Sequence, residues 1–195
     1  MTKIAVQTIS SVQDRALEAS RQVALVVGAS LVVALCARIA IPLMPWTPVP
    51  LTVQNMGVLL VGLMLGSRRG FAALALYLVA GAAGLPVFSP SATGLTGIAQ
   101  LLGPTGGFLM AYPFVAFLAG YIFERGAKNF TRAAVSGLLA EILLFAGGLT
   151  WLYVYTHSLA KAAYLGLYWF VAAEVIKIML AAGIASRWRR AAVRQ

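Results

Sequence analysis

Charged residues are scarce in this sequence. They make up 10% of the 195 residues, and only five residues are acidic, whereas 61% are hydrophobic and the mean hydropathy is +0.89. A soluble protein of this composition would expose far too much apolar surface. The composition therefore indicates an integral membrane protein that contacts the lipid bilayer, with room for one domain.

Cysteine and histidine are almost absent, and so are the motifs of common enzymes. Cys36 is the single cysteine and His157 the single histidine. These counts exclude an intrachain disulfide, a thiolate metal cage and a multi-histidine metal centre. The sequence also has no Walker A motif for ATP and no G-x-S-x-G nucleophile elbow. We therefore expect no catalytic residues, no metal and no cofactor.

Hydrophobic segments recur along the chain, and a helix needs about 20 residues to cross a bilayer. The segments cover about residues 22–41, 51–66, 71–85, 107–123, 133–155 and 162–185, of which the second and third are short. The pattern predicts an all-α membrane protein with one six-helix domain over residues 22–185. Residues 1–21 and 186–195 are expected as polar tails, the first either a short surface helix or a frayed end.

Basic residues lie on one side of this predicted bundle. Twelve of the 15 lysines and arginines fall in the two tails and in the links after the second and fourth segments. Because lysine and arginine accumulate in cytoplasmic loops, we expect the chain to span the cell membrane six times, with both termini in the cytoplasm. This placement also accounts for the net charge of +10 without a nucleic-acid partner. Arg38 and Lys161 are expected at the opposite boundary, where Arg38 reaches the interface.

Two long loops fall on the outer side in this arrangement. Residues 42–54 contain four prolines within nine positions, which stiffens the loop, and Trp46 suits an interface anchor or a lid. Residues 86–106 carry no charge and are rich in glycine, serine, threonine and proline. Their apolar side chains argue for a loop that packs back onto the bundle.

The last hydrophobic segment holds an acid and a base near its centre, Glu174 and Lys177. Three residues apart, they share one face of a helix. Ionisable groups at membrane depth face protein or a water-filled cavity. The pair therefore indicates either a ligand site or an internal ion pair that orders the bundle. Glu141, in the fifth segment, also needs a partner or water, and a structural role is favoured. Aromatic residues are candidates for the apolar wall of a cavity: Trp46, Phe88, Tyr112, Tyr164, Tyr168 and Trp169.

Several motifs resemble those of one known family. IPL at 41–43, PVPLTVQ at 48–54 and GLMLG at 62–66 resemble the first third of the BioY family of biotin transporters. YLVAGAAGLPVFS at 77–89, LLGPTGGFLM at 101–110 and the acid-x-x-lysine pair at 174–177 are similar to its other signatures. The resemblance runs from about residue 25 to 183.

The resemblance implies the substrate-binding S component of an energy-coupling factor (ECF) transporter. Such a protein captures biotin from outside, and its partners are a transmembrane coupling subunit and two ABC ATPases. Small residues on the first helix would form the docking face, and the nearest pairs here are Ala24/Gly28 and Cys36/Ala40. Another vitamin as ligand stays open because the fold hosts several. A stand-alone secondary transporter also stays open, although the sequence shows no inverted repeat.

By position, the resemblance also implies the ligand contacts. Glu174 and Lys177 come first, the loop from Ser89 to Gln100 second, and Thr52 and Gln54 third, and Trp46 and Phe88 complete the predicted set. Glu174→Gln and Lys177→Ala are each expected to weaken ligand binding by about 1–3 kcal/mol, the value of a hydrogen bond to a buried charge.

Overall fold

The structure is a computed structural model that describes residues 2–91 and 93–193, with side chains over 13–91 and 93–188. Four of the twelve basic residues that predict the orientation have side chains outside the described residues: Lys3, Arg189, Arg190 and Arg194. In chain order the elements are α1 (Thr2–Arg38), β1 (Ala40–Ile41), β2 (Leu51–Thr52), α2 (Gln54–Leu65), α3 (Ser67–Ala82), α4 (Gly97–Leu101), α5 (Gly106–Glu124), α6 (Phe130–Thr156), α7 (Leu159–Ala163), a π-helical turn (Tyr164–Tyr168) and α8 (Val171–Val193).

Helix α1 is much longer than the first hydrophobic segment. Its 37 residues extend about 55 Å at 1.5 Å per residue, whereas a bilayer core is about 30 Å thick. The polar residues at its start continue the same helix, so neither the separate surface helix nor the frayed end describes them. The helix ends at Arg38, three residues before the predicted Ile41, because the next residues pair as a strand.

The proline-rich loop joins two short antiparallel strands. Ala40 pairs with Thr52 and Ile41 with Leu51, which brings the two ends of the loop together. Within the loop, the buried Thr47 donates its hydroxyl to the carbonyl of Leu165 at 2.7 Å. The loop is therefore held against the last hydrophobic segment, which is about 120 residues away in sequence.

Helices α2, α3 and α5 approach one another at glycines. A Cβ atom on Gly62 would lie 2.4 Å from the carbonyl oxygen of Ala116, and one on Gly120 would lie 2.6 Å from the backbone at Gly66. Small residues allow this backbone contact, which stabilises helix pairs in a membrane by van der Waals packing. At the same end, Glu124 accepts hydrogen bonds from the backbone N–H and the hydroxyl of Ser67, at 3.0 and 2.6 Å. This carboxylate caps the start of α3.

The second long loop packs back onto the bundle, as the sequence predicts. It contains the short helix α4, from which the buried Gln100 donates to the carbonyl of Ser89 at 2.8 Å. Trp151 of α6 donates its indole N–H to the carbonyl of Gly103 at 2.8 Å. The Phe88 ring fills the space next to Gly81, where a Cβ atom would lie 2.1 Å from it. The loop is thus anchored along its length.

The last hydrophobic segment is broken, so the predicted continuous helix over residues 162–185 is wrong. The helix from Leu159 to Tyr168 and the one from Val171 to Trp188 meet at a bend of 44°. The π-helical turn before the bend places Gly166 so close to Leu152 that a Cβ atom would lie 2.5 Å from it. Glu174 consequently lies in the first turn of α8, not at the centre of a spanning helix.

Apolar side chains cover the outside of the bundle. Among the exposed large residues are Leu35, Phe114, Ile142 and Ile176, each more than half exposed. Such a surface is suited to lipid. Within the described residues, three helices are long and apolar enough to span a membrane, or four if the bent pair counts as one span. Helices α2 and α3 have 12 and 16 residues, fewer than the about 20 that a spanning helix needs. The predicted number of six spans therefore stays a prediction.

Candidate functional site

A cavity lies at the end of the bundle where α2 and α5 begin. About 520 Å³ of empty space lies within it and at its open mouth, and about 50 Å³ of that space can hold the centre of a water molecule. The proline-rich loop, the second long loop and α8 all contribute to its wall. The lining residues are Val49, Pro50, Thr52, Gln54, Asn55, Ser89, Thr105, Phe108, Leu109, Tyr112, Leu144, Phe145, Gly166, Phe170 and Glu174. Mostly apolar walls with a few polar groups are typical of sites for small organic ligands.

Four polar side chains from three helices meet beside this cavity, and we call Asn55, Glu141, Glu174 and Lys177 the carboxylate cluster. The Lys177 ammonium donates to Oε1 of Glu174 at 2.7 Å. The side-chain amide nitrogen of Asn55 donates to Oε2 of Glu174 at 2.7 Å and also to Oε1 of Glu141. The other three members of the cluster are deeply buried: Asn55, Glu141 and Glu174 are 3%, 2% and 6% exposed.

The cluster contains the ion pair that the sequence predicted, but its two members are placed differently. Glu174 lines the cavity, whereas Lys177 contacts Glu174 and is not among the lining residues. Of the two predicted alternatives, the ion pair inside the bundle is present, and it holds one carboxylate at the cavity wall. A ligand contact by this pair stays a prediction. Glu141 has the partner inside the bundle that its depth requires, since Asn55 donates to it.

A set of side chains fixes the short stretch 86–89, which borders the cavity. Gln54 donates to the hydroxyl of Tyr77 at 2.9 Å, and that hydroxyl donates to the carbonyl of Val87 at 3.1 Å. Arg38 donates to the carbonyls of Pro86 and Phe88. The role predicted for Arg38, reaching the membrane interface, is thus incomplete, because the end of α1 is tied to the loop beside the cavity.

The other predicted site residues divide into three groups. Thr52, Gln54 and Ser89 line the cavity together with Glu174. Phe88 and Gln100 are buried behind it, Phe88 with its ring 5.4 Å from that of Tyr77. Trp46 is 56% exposed and is not among the lining residues.

Aromatic residues follow the same division. Trp46 packs on Trp169 with ring centroids 6.0 Å apart, and Tyr164 and Tyr168 pack on Trp169 in turn. This aromatic cluster lies outside the cavity lining, so among the predicted aromatic walls only Tyr112 lines the cavity. The walls that sequence reasoning missed are Phe108, Phe145 and Phe170, whose types are equally common in lipid-facing positions.

Asn55 is the member of the carboxylate cluster that sequence reasoning missed. It follows Gln54 within the second hydrophobic segment, where an amide is costly unless it is hydrogen-bonded. This cost is the feature of the sequence that could have indicated a buried hydrogen-bond partner for Asn55. In the described part of the chain, no group of three or more histidine, cysteine, aspartate or glutamate residues could hold a metal ion.

Comparison with known proteins identifies close relatives. The BioY family is matched over residues 6–194. The biotin transporter BioY of Thermotoga maritima is 38% identical over 155 residues, which are 79% of this chain and 87% of that protein. The biotin transporter BioY of Rhizobium etli is 36% identical over 146 residues, 69% of this chain and 75% of that protein.

A solved structure has the same fold. The 2.1 Å crystal structure of the S-component for biotin from an ECF-type ABC transporter matches with a TM-score of 0.78 at 26% sequence identity. The match covers 89% of this chain and 93% of that one. The predicted fold class, an all-α membrane protein with the fold of an ECF S component, is therefore confirmed, and the chain belongs to the BioY family.

Proposed function

We propose that this protein binds biotin in the cavity and takes part in biotin uptake as the S component of an ECF-type ABC transporter. The carrying observation is the carboxylate of Glu174 at the wall of a cavity that has apolar walls and a few polar groups. The names of the relatives and of the solved structure support the same ligand. The protein is a transport component and not an enzyme.

The chemistry of biotin suits this lining. Its ureido ring offers two N–H donors and a carbonyl, its thiophane ring is apolar, and its valerate chain ends in a carboxylate. Each carboxylate oxygen has two lone pairs, so Glu174 keeps acceptor capacity beyond its bonds to Lys177 and Asn55. We assign Glu174 to the ureido N–H groups, and Lys177 to balancing its charge. Gln54, Thr52 and Ser89 are the nearest polar groups for the rest of the ligand.

The end of the bundle opposite the cavity is basic. Arg68, Arg69 and Arg125 border one concave surface there, next to Glu124. Because cytoplasmic ends of membrane proteins carry the excess of lysine and arginine, this end is assigned to the cytoplasm and the cavity to the outside. The assignment agrees with six spans, both termini inside and a location in the cell membrane.

The partners are proposed to be a transmembrane coupling subunit and two ABC ATPases, docked on α1. Of the two small-residue pairs on this helix, Ala24 and Gly28 are exposed, and a Cβ atom on Gly28 would meet nothing within 4 Å. Cys36 instead faces inward, because its sulfur would lie 3.2 Å from a Cβ atom on Gly57. Leu31 and Leu35 continue the exposed stripe. Spacings of four, three and four residues make this stripe a seam for another helix.

Equilibrium binding of biotin to the purified protein in detergent tests the ligand, with desthiobiotin and thiamine as competitors. We expect tight binding that desthiobiotin blocks and thiamine does not. Glu174→Gln should weaken it about 10- to 100-fold, the equivalent of about 1–3 kcal/mol. Glu124→Gln is the matched control, because this acid lies at the opposite end and should leave affinity unchanged. Absence of binding to a folded sample, or competition by thiamine, would overturn the assignment.

Uptake into vesicles tests the partners. Vesicles with the S component, the coupling subunit and both ATPases should accumulate biotin when ATP is supplied. Vesicles with the S component alone should not. Accumulation without the other subunits would instead identify a self-sufficient transporter.

A further inference from the structure

Asn55 is a branch point between two acids. Its side-chain nitrogen carries two hydrogens, and it bonds to Glu174 and to Glu141, one acceptor for each hydrogen. The two acids belong to different helices, α8 and α6, and neither is near Asn55 in sequence. The donor capacity of the amide is therefore used up inside the protein.

The two acids also determine which way the amide faces. The carboxylate oxygens that face Asn55 act as acceptors, so the Asn55 nitrogen points toward both. A rotation by 180° would place the amide oxygen against two acceptors, which is unfavourable. The orientation of Asn55 thus follows from its neighbours and leaves its oxygen as the free end.

That free oxygen is buried without a partner. Within the described residues, Oδ1 of Asn55 has no hydrogen-bond donor, and Asn55 as a whole is 3% exposed. Buried polar atoms in native proteins nearly always have a partner. Because Asn55 lines the cavity, the donor missing from the protein can be supplied by the molecule that fills the cavity.

We propose that Oδ1 of Asn55 accepts a hydrogen bond from an N–H group of the ligand, and that Glu141 is the positioning residue that keeps the amide turned this way. The inference rests on the proposed function and deepens it, since the ureido ring supplies the N–H groups. Glu174 and Asn55 then form adjacent acceptors, which select a ligand with N–H donors over one with acceptors at the same place.

Glu141 acts only through Asn55. It is 2% exposed and is not among the lining residues, so it does not reach the ligand. Loss of its carboxylate releases one hydrogen of the Asn55 amide and removes half of the constraint on its orientation. Glutamine at this position retains a carbonyl oxygen that accepts the same hydrogen, whereas leucine retains none.

The test measures the affinity of biotin and of two analogues that carry a methyl group on one or the other ureido nitrogen. Methylation removes one N–H donor, so in the natural protein one analogue should bind about 10- to 100-fold more weakly than biotin. In Asn55→Leu, which removes the acceptor without opening space, this ratio should fall below about 3-fold by the same reasoning. Desthiobiotin, which keeps both N–H groups, serves as the unmodified reference in each variant.

Glu141 variants test the positioning role with the same ratio. Glu141→Gln should keep the methylation ratio of the natural protein, and Glu141→Leu should reduce it. A role in stability alone would lower the melting temperature but leave the ratio unchanged. If Asn55→Leu does not yield folded protein, the methylation ratios of Glu141→Gln and Glu141→Leu still test the proposal.

Two negative results have different meanings. If biotin does not bind the natural protein, the proposed function is overturned and this inference with it. If biotin binds and the methylation ratio of both analogues is the same in the natural protein, Asn55→Leu and Glu141→Leu, only the inference is overturned.

Discussion

Removing the charge of Lys177 should destabilise the protein more than removing the charge of its partner. The two side chains are 12% and 9% exposed, and the ammonium lies 2.7 Å from the Glu174 carboxylate. Within the carboxylate cluster, Lys177 is the one cation for two acids. Lys177→Ala leaves both acids buried around a single amide, and loss of one member of a buried ion pair costs about 3–5 kcal/mol.

Glu174→Gln is the milder change. The amide oxygen of glutamine still accepts from Asn55 or from Lys177, and Glu141 remains as the acid of the cluster. We expect a loss of about 1–3 kcal/mol, typical of a weakened hydrogen bond to a charged group. The double variant Lys177→Ala/Glu174→Gln removes both charges, so it should be more stable than Lys177→Ala alone.

Thermal unfolding followed by tryptophan fluorescence in detergent, at one fixed scan rate, measures this order. For a protein of this size, 1 kcal/mol corresponds to about 2–4 °C, so Lys177→Ala should lower the midpoint by about 6–20 °C. The double variant should recover part of that shift. A double variant that is less stable than Lys177→Ala, by the full effect of Glu174→Gln, would refute the reasoning, because the two charges would then act independently.

Three further predictions follow from contacts at other places. Arg38→Ala releases two carbonyls of the loop beside the cavity, so the ligand should dissociate about 5- to 30-fold faster in a stopped-flow chase, with Arg38→Lys between. Gly62→Val should no longer elute as a single gel-filtration peak, because the valine side chain would collide with the backbone of α5. Gly183→Val is the control and should still elute as a single peak, because a Cβ atom at Gly183 would meet nothing within 4 Å. Gly28→Leu should stop ATP-driven uptake in vesicles and leave ligand affinity unchanged, because it lies on the exposed stripe of α1.

Each of these predictions has a contrary result. Unchanged dissociation in Arg38→Ala would show that the loop is held by other contacts. A well-folded Gly62→Val would show that α2 and α5 have room between them, and normal uptake by Gly28→Leu would remove the docking face from α1.

The membrane class and the pairing of Glu174 with Lys177 could be predicted from the sequence alone. Both depend on composition and on local spacing: long apolar segments need lipid, and Glu174 and Lys177 share a face because they are three residues apart. The packing of the second long loop was also predictable, since its apolar residues have no reason to face water. Motif similarity added the family and the order of the candidate residues.

The bend in the last segment and the partner of Glu141 depend on contacts between distant parts of the chain. The break before α8 occurs near Gly166, which approaches Leu152 of α6. A glycine inside an apolar segment does not by itself predict a bend, because helices tolerate an isolated glycine. Asn55 reaches residues that are 86 and 119 positions away. Sequence spacing carries no information at that range, because the packing of α2 against α6 and α8 determines which side chains meet. The sequence therefore determined that buried charges need partners, and the tertiary structure decided which side chains those partners are and which of them face the cavity.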